Sequence, residues 1–174
     1  MIRRSILRIS PVLLMATAAS AQAPTQVPPN CNASSYRQLD FWVGRWNVFD
    51  TAGKYQVATS HIEGIMDGCA IRETYLSPKA PGGPYAGSSI SGFDRTDGKW
   101  HQTYIDTKGA ITHFVGQADG TTVAMSAPAA AGAIQRMVYT PLGDGSVTQV
   151  GTLSGDGGKS WQPSYSYTYR RPKK

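Results

Sequence analysis

From Gly44 onward the chain is cut by glycine turns about once every ten residues, and no segment repeats with the roughly 3.6-residue period of a helix. The turn signals are Thr51-Ala52-Gly53, Thr96-Asp97-Gly98, Lys108-Gly109, Asp119-Gly120, Gly143-Asp144-Gly145 and Asp156-Gly157-Gly158. Asp-Gly and its kin supply the positive φ that tight hairpins require. Between them the residues alternate, which predicts strands over Gly44–Asp50, Lys54–Glu63, Cys69–Leu76, Ser88–Arg95, Lys99–Thr107, Ala110–Gln117, Thr121–Ser126, Ile134–Thr140, Ser146–Leu153 and Ser160–Arg170. The segment Ser77–Gly87, rich in proline and glycine, reads as a long loop, and Ser34 as the cap of one helical turn ending at Leu39. Connections this short force neighbouring strands to be antiparallel. A meander of about ten strands removes its edges by closing, so the expected fold is an all-β, up-and-down antiparallel barrel with a short N-terminal helical turn.

Composition agrees and narrows the function. Of 174 residues, 40 % are hydrophobic and 16 % charged, with 19 glycines and 11 prolines, which excludes a disordered chain, a coiled coil and a helical bundle. Residues 1–23 read as a signal peptide: Arg3, Arg4 and Arg8, an apolar run from Ile9 to Ala19 broken by Pro11, then small residues that place cleavage after Ala21 or Ala23. Arg3-Arg4 also fits a twin-arginine signal, and either route predicts a periplasmic or secreted protein. The run is too short for a membrane span, so no integral membrane association is expected. The net charge of +6 comes from the signal and from Arg170, Arg171, Lys173 and Lys174. The body between is near neutral, which excludes nucleic acid as a main partner. Residues 24–33 form a leader, and 34–174 the single domain.

In an exported chain the two cysteines, Cys31 and Cys69, predict one disulfide, with two free thiols as the alternative. Cys31 lacks the small apolar approach of a lipid-attachment site. Neither cysteine stands at ligand spacing with His61, His101 or His113, so no metal is expected.

Gly44-Arg45-Trp46 opens the first strand and resembles the signature of lipocalins and calycins. That resemblance implies a tryptophan closing one barrel end, covered by an arginine of the last strand, here Arg170 or Arg171. Four blocks extend it: Leu39–Trp46, Gly68–Glu73, Trp100–Asp106 and Asp156–Trp161. Together they resemble a family of secreted bacterial proteins of unknown function with a lipocalin-like barrel, which implies fold and export but no reaction. Nitrobindins, haem-binding relatives of this barrel shape, carry an axial histidine near the C-terminus. No histidine follows His113 here, so no haem or other cofactor is carried over. Ser154-x-Asp156-x-Gly158-x-x-Trp161 also fits the sialidase Asp-box, but one copy in a short chain reads as a turn whose aspartate accepts backbone N–H bonds.

Strand alternation places Trp100, Gln102, Tyr104 and Asp106 on one face, Ile71, Glu73 and Tyr75 on another, and Trp161, Tyr165, Tyr167 and Tyr169 on a third. If these faces line the interior, the cavity is aromatic with polar tips and suits a small, partly apolar ligand. His101 and His113 are expected as neighbours across the hairpin between their strands. No nucleophile elbow, metalloprotease helix or phosphate loop is present, and Gly87-Ser88-Ser89-Ile90-Ser91-Gly92 reads as a small-residue strand that lets a barrel curve. The expected function is binding of a small molecule through Glu73, Trp100, Gln102, Tyr104, Asp106, Tyr165 and Tyr167. The alternatives are a cofactor-free lyase or isomerase using Glu73 or Asp106 with a tyrosine, and a structural protein with a filled barrel.

Overall fold

The structure, a computed structural model, describes residues 31–173. The expected signal peptide, residues 1–23, and most of the expected leader, 24–33, lie outside them. Ten strands follow one another: β1 (Gly44–Phe49), β2 (Gln56–Ile65), β3 (Ala70–Ser77), β4 (Tyr85–Asp94), β5 (Lys99–Asp106), β6 (Ile111–Asp119), β7 (Thr122–Pro128), β8 (Ile134–Pro141), β9 (Val147–Ser154) and β10 (Gln162–Arg170). Each pairs antiparallel with the next, and β10 returns to β1, so the sheet is a closed barrel. The closing seam is short: Asn47, Val48 and Phe49 stand opposite Arg170, Tyr169 and Thr168.

Two local expectations are corrected. The region 77–87 is not all loop, because Tyr85, Ala86 and Gly87 pair with Ser77, Leu76 and Tyr75 and satisfy their backbone groups as strand. The helical turn is two short 3₁₀ turns, Ser34–Arg37 and Asp40–Trp42, and Ser34 caps neither.

These turns plug one end of the barrel. Leu39, Trp42, Trp46 and Trp100 are buried there with Tyr139 and Tyr169. The Trp42 ring lies 4.6 Å from Tyr139 and 6.0 Å from Tyr169. The Trp46 Nε1–H donates to the Trp42 carbonyl at 2.7 Å, and the Trp100 Nε1–H to Gln38 Oε1 at 2.9 Å. The Arg171 guanidinium lies 3.7 Å above the Trp46 ring and donates to the Val43 carbonyl at 3.0 Å. Of the two arginines the sequence offers, Arg171 is therefore the cover. Alternation decides it: Arg171 continues the inward face of Tyr169, whereas Arg170 faces outward over Phe49, 4.6 Å from its centroid. Gly44 follows from the same contact. Its φ is +141°, and a Cβ there would overlap the Arg171 guanidinium.

Cys31 and Cys69 are joined, with Cα atoms 4.9 Å apart, so the leader is tied to the residue ahead of β3 at this plugged end. Among the described residues no helix is long and apolar enough to cross a membrane.

Candidate functional site

At the other end the barrel is open. A cavity of about 610 Å³ descends from the rim between β3, β5 and β10, within the range of small-molecule sites. Seven of the nine tyrosines line it: Tyr75, Tyr85, Tyr104, Tyr139, Tyr165, Tyr167 and Tyr169.

Small inward residues leave the room. The inward positions of β4 are Gly87, Ser89 and Ser91, all buried. A Cβ at Gly87 would overlap the Tyr104 hydroxyl, and one at Gly151 the Tyr165 ring. Each side chain occupies the space that a Cβ would take, so the glycine lets it sit closer to the wall. The run Gly87–Gly92 thus turns only small groups inward, as expected of a small-residue strand.

Glu73 sits deep in this space, 4 % exposed, and accepts a 2.7 Å hydrogen bond from the Ser60 hydroxyl. Burial pushes its carboxyl up to about 7, against the smaller pull of hydrogen bonds, chiefly from Ser60. Beside it the Tyr169 hydroxyl donates to Gln149 Oε1 at 2.9 Å, and Gln149 Nε2 donates to the Tyr139 hydroxyl at 3.0 Å. Gln102 Nε2 donates to Ser91 Oγ at 2.9 Å. Ser89, directly opposite Glu73 in the β3–β4 ladder, has a buried hydroxyl with no partner among the described residues. Burial raises the phenols of Tyr75, Tyr104, Tyr139, Tyr165 and Tyr169, so they are donors rather than charges.

Asp106 stands at the rim and is occupied locally. Its Oδ1 accepts from the backbone of Lys108 at 2.9 Å and Ala110 at 3.1 Å, and its Oδ2 from the Tyr85 hydroxyl at 3.2 Å. Its main work is to shape the β5–β6 turn. Lys79 and Lys108 also edge the opening.

The structure brings Glu73, Gln102, Tyr104, Asp106, Tyr165 and Tyr167 together around one cavity. Trp100 is not part of it, because it belongs to the plug. Trp161 is excluded as well. The β10 register shifts between Pro163 and Tyr165, which breaks the alternation, and the Trp161 ring instead meets the Arg136 guanidinium 4.0 Å from its centroid. Asp156 and Gly158 form the expected turn. Asp156 accepts from the Lys159 and Ser160 backbones at 3.0 and 2.9 Å, and its carboxyl is held down to about 2, chiefly by the Ser160 hydroxyl and N–H. The sequence reading passed over Ser60, Tyr139 and Gln149. Tyr139 shows in the alternation of Met137-Val138-Tyr139, but an isolated Gln149 or Ser60 looks like a surface residue.

His61, His101 and His113 all face outward. Thr103, not His101, stands opposite His113, so the expected histidine pair is out of register by two residues. The Thr103 hydroxyl and His113 Nδ1 are 3.0 Å apart, while His101 Nε2 lies 3.0 Å from Asp97. Asp94, Asp97 and His101 gather their ligand atoms within 4.8 Å on the surface. Asp94 and Asp97 are already spent on the Thr96 and Lys99 backbone amides of their own turn.

Compared with known proteins, the chain matches no protein-family model, and no curated protein is similar to it. The closed barrel is established by the structure. Membership of a secreted bacterial family, expected from the four sequence blocks, gains no support from these comparisons.

Proposed function

We propose that the protein binds a small, partly apolar molecule in the open half of the barrel. The observation that carries this reading is the tyrosine-lined cavity itself, sealed below by the tryptophan plug and open to solvent above. Seven phenols give apolar walls with hydrogen-bonding tips, which suits an amphipathic ligand. A volume near 610 Å³ speaks against a filled, purely structural barrel. The Cys31–Cys69 bridge supports an oxidising compartment, in keeping with an exported protein of the secreted family that the sequence resembles. Titration with the neutral fluorophore 1-aminoanthracene tests the reading. Saturable binding at one site per chain is expected, and the absence of any saturable signal would contradict it.

A second reading has one observation in its favour. Glu73, pushed up to about 7 within a cavity open to water, can both give and take a proton near neutral pH. That is what a cofactor-free lyase or isomerase needs. Such an activity would follow the ionisation of Glu73 and be lost in Glu73→Gln. Asp106, committed to its turn, is the weaker of the two carboxylates expected for this role.

A further inference from the structure

The carboxyl of Glu73 is buried inside the barrel, and no cation among the described residues is paired with it. Its titratable and polar surroundings are Tyr75 on its own strand, Ser60 from β2, Ser89 from β4, Tyr104 from β5, Tyr139 from β8, Gln149 from β9, and Tyr165 and Tyr169 from β10. β1, β6 and β7 turn Val48, Phe114 and Met125 inward, which carry no charge. Among the lining residues the only cations are Lys79 and Lys108, both exposed at the rim. A buried carboxylate normally has a partner of opposite charge. Here the place where that partner would stand is the cavity, and the walls are faces and edges of tyrosine.

We propose that the cavity receives an organic cation, with a protonated amine seated on the Glu73 carboxylate and its hydrocarbon body held between the tyrosine rings. The proposal rests on the small-molecule reading above and names its ligand class. Two terms favour it over a neutral or anionic guest. An ammonium supplies the charge that the ionised carboxylate lacks, at low dielectric where the pair is strong. Ring faces also attract ammonium groups, most strongly where water is excluded. The unpartnered Ser89 hydroxyl, opposite Glu73, provides a spare donor to the ionised form. An anion would meet the carboxylate head-on. The rim lysines do not bar a cation, since their field in water is screened within about 8 Å at physiological salt.

The test compares 2-phenylethylamine with 2-phenylethanol, which differ in the ammonium alone, by calorimetric titration of the full folded chain at pH 8 and pH 5.5. The amine stays protonated at both values. At pH 8 it should bind at least tenfold more tightly than the alcohol. At pH 5.5, with Glu73 protonated, the amine should lose about tenfold or more while the alcohol holds steady. Glu73→Gln should bring the amine down to the affinity of the alcohol, with a thermal melt confirming that the variant is folded. The wild-type pH comparison stands even if that variant does not fold. Equal affinities for amine and alcohol at pH 8 would overturn the proposal and leave the small-molecule reading intact. Failure of both compounds and of 1-aminoanthracene to bind would overturn both.

Discussion

Glu73 and Trp46 fix the two ends of the interior. Glu73 is stabilised when protonated, because its folded carboxyl titrates near 7 and the unfolded one near 4.5. Below pH 4.5 the group is neutral in both states and imposes no penalty. Between 4.5 and 7 the unfolded chain releases the proton and the folded one keeps it, so stability falls as pH rises, by about 3 kcal/mol in all. Urea melts between pH 5 and pH 8 should therefore show the wild type losing stability, and Glu73→Gln should flatten that slope. At the other end, Trp46→Ala should cost roughly 3–5 kcal/mol, the usual loss for a buried indole. Arg171→Ala should cost about 0.5–2 kcal/mol. The double mutant should be less destabilised than the sum, since the two share one contact. Arg170→Ala, outside that contact, should combine additively with Trp46→Ala. Urea melts of the singles and doubles check all of these.

Among the elements, β4 and β9 decide whether the barrel has a lumen. Gly87 and Gly151 are sites where a ring lies on bare backbone, and adding side-chain atoms there must move the ring. Gly151→Val should drive the Tyr165 ring into the cavity and abolish 1-aminoanthracene binding, with the fold intact by circular dichroism. Retained binding would show that Tyr165 has room elsewhere. The strands themselves were legible in the sequence because turn chemistry is local: an Asp-Gly pair signals its hairpin whatever surrounds it. Inward faces were legible only where alternation ran unbroken. On β3 and β5 it did, and Glu73, Gln102 and Tyr104 stand where the pattern put them. On β10 the register shift at Pro163–Tyr165 carried Trp161 out of the face it was expected to share. Trp100 obeyed the alternation, yet its height along the barrel places it in the plug, and a two-residue period says nothing about height.

For the whole molecule, closure joins chain ends that no local signal relates. That Arg171 rather than Arg170 covers Trp46 depends on the phase in which β10 meets β1, which only the closed sheet sets. The same closure makes one end a plug of tryptophans and leaves the other an open cup of tyrosines around a single buried carboxylate. Whether this cup holds a small molecule is decided by native mass spectrometry of the protein purified from the cells that make it. The folded chain should carry one non-covalent small molecule, with that extra mass absent from Gly151→Val. A wild-type protein that flies only as the bare polypeptide, and takes up no 1-aminoanthracene when offered it, would contradict the claim.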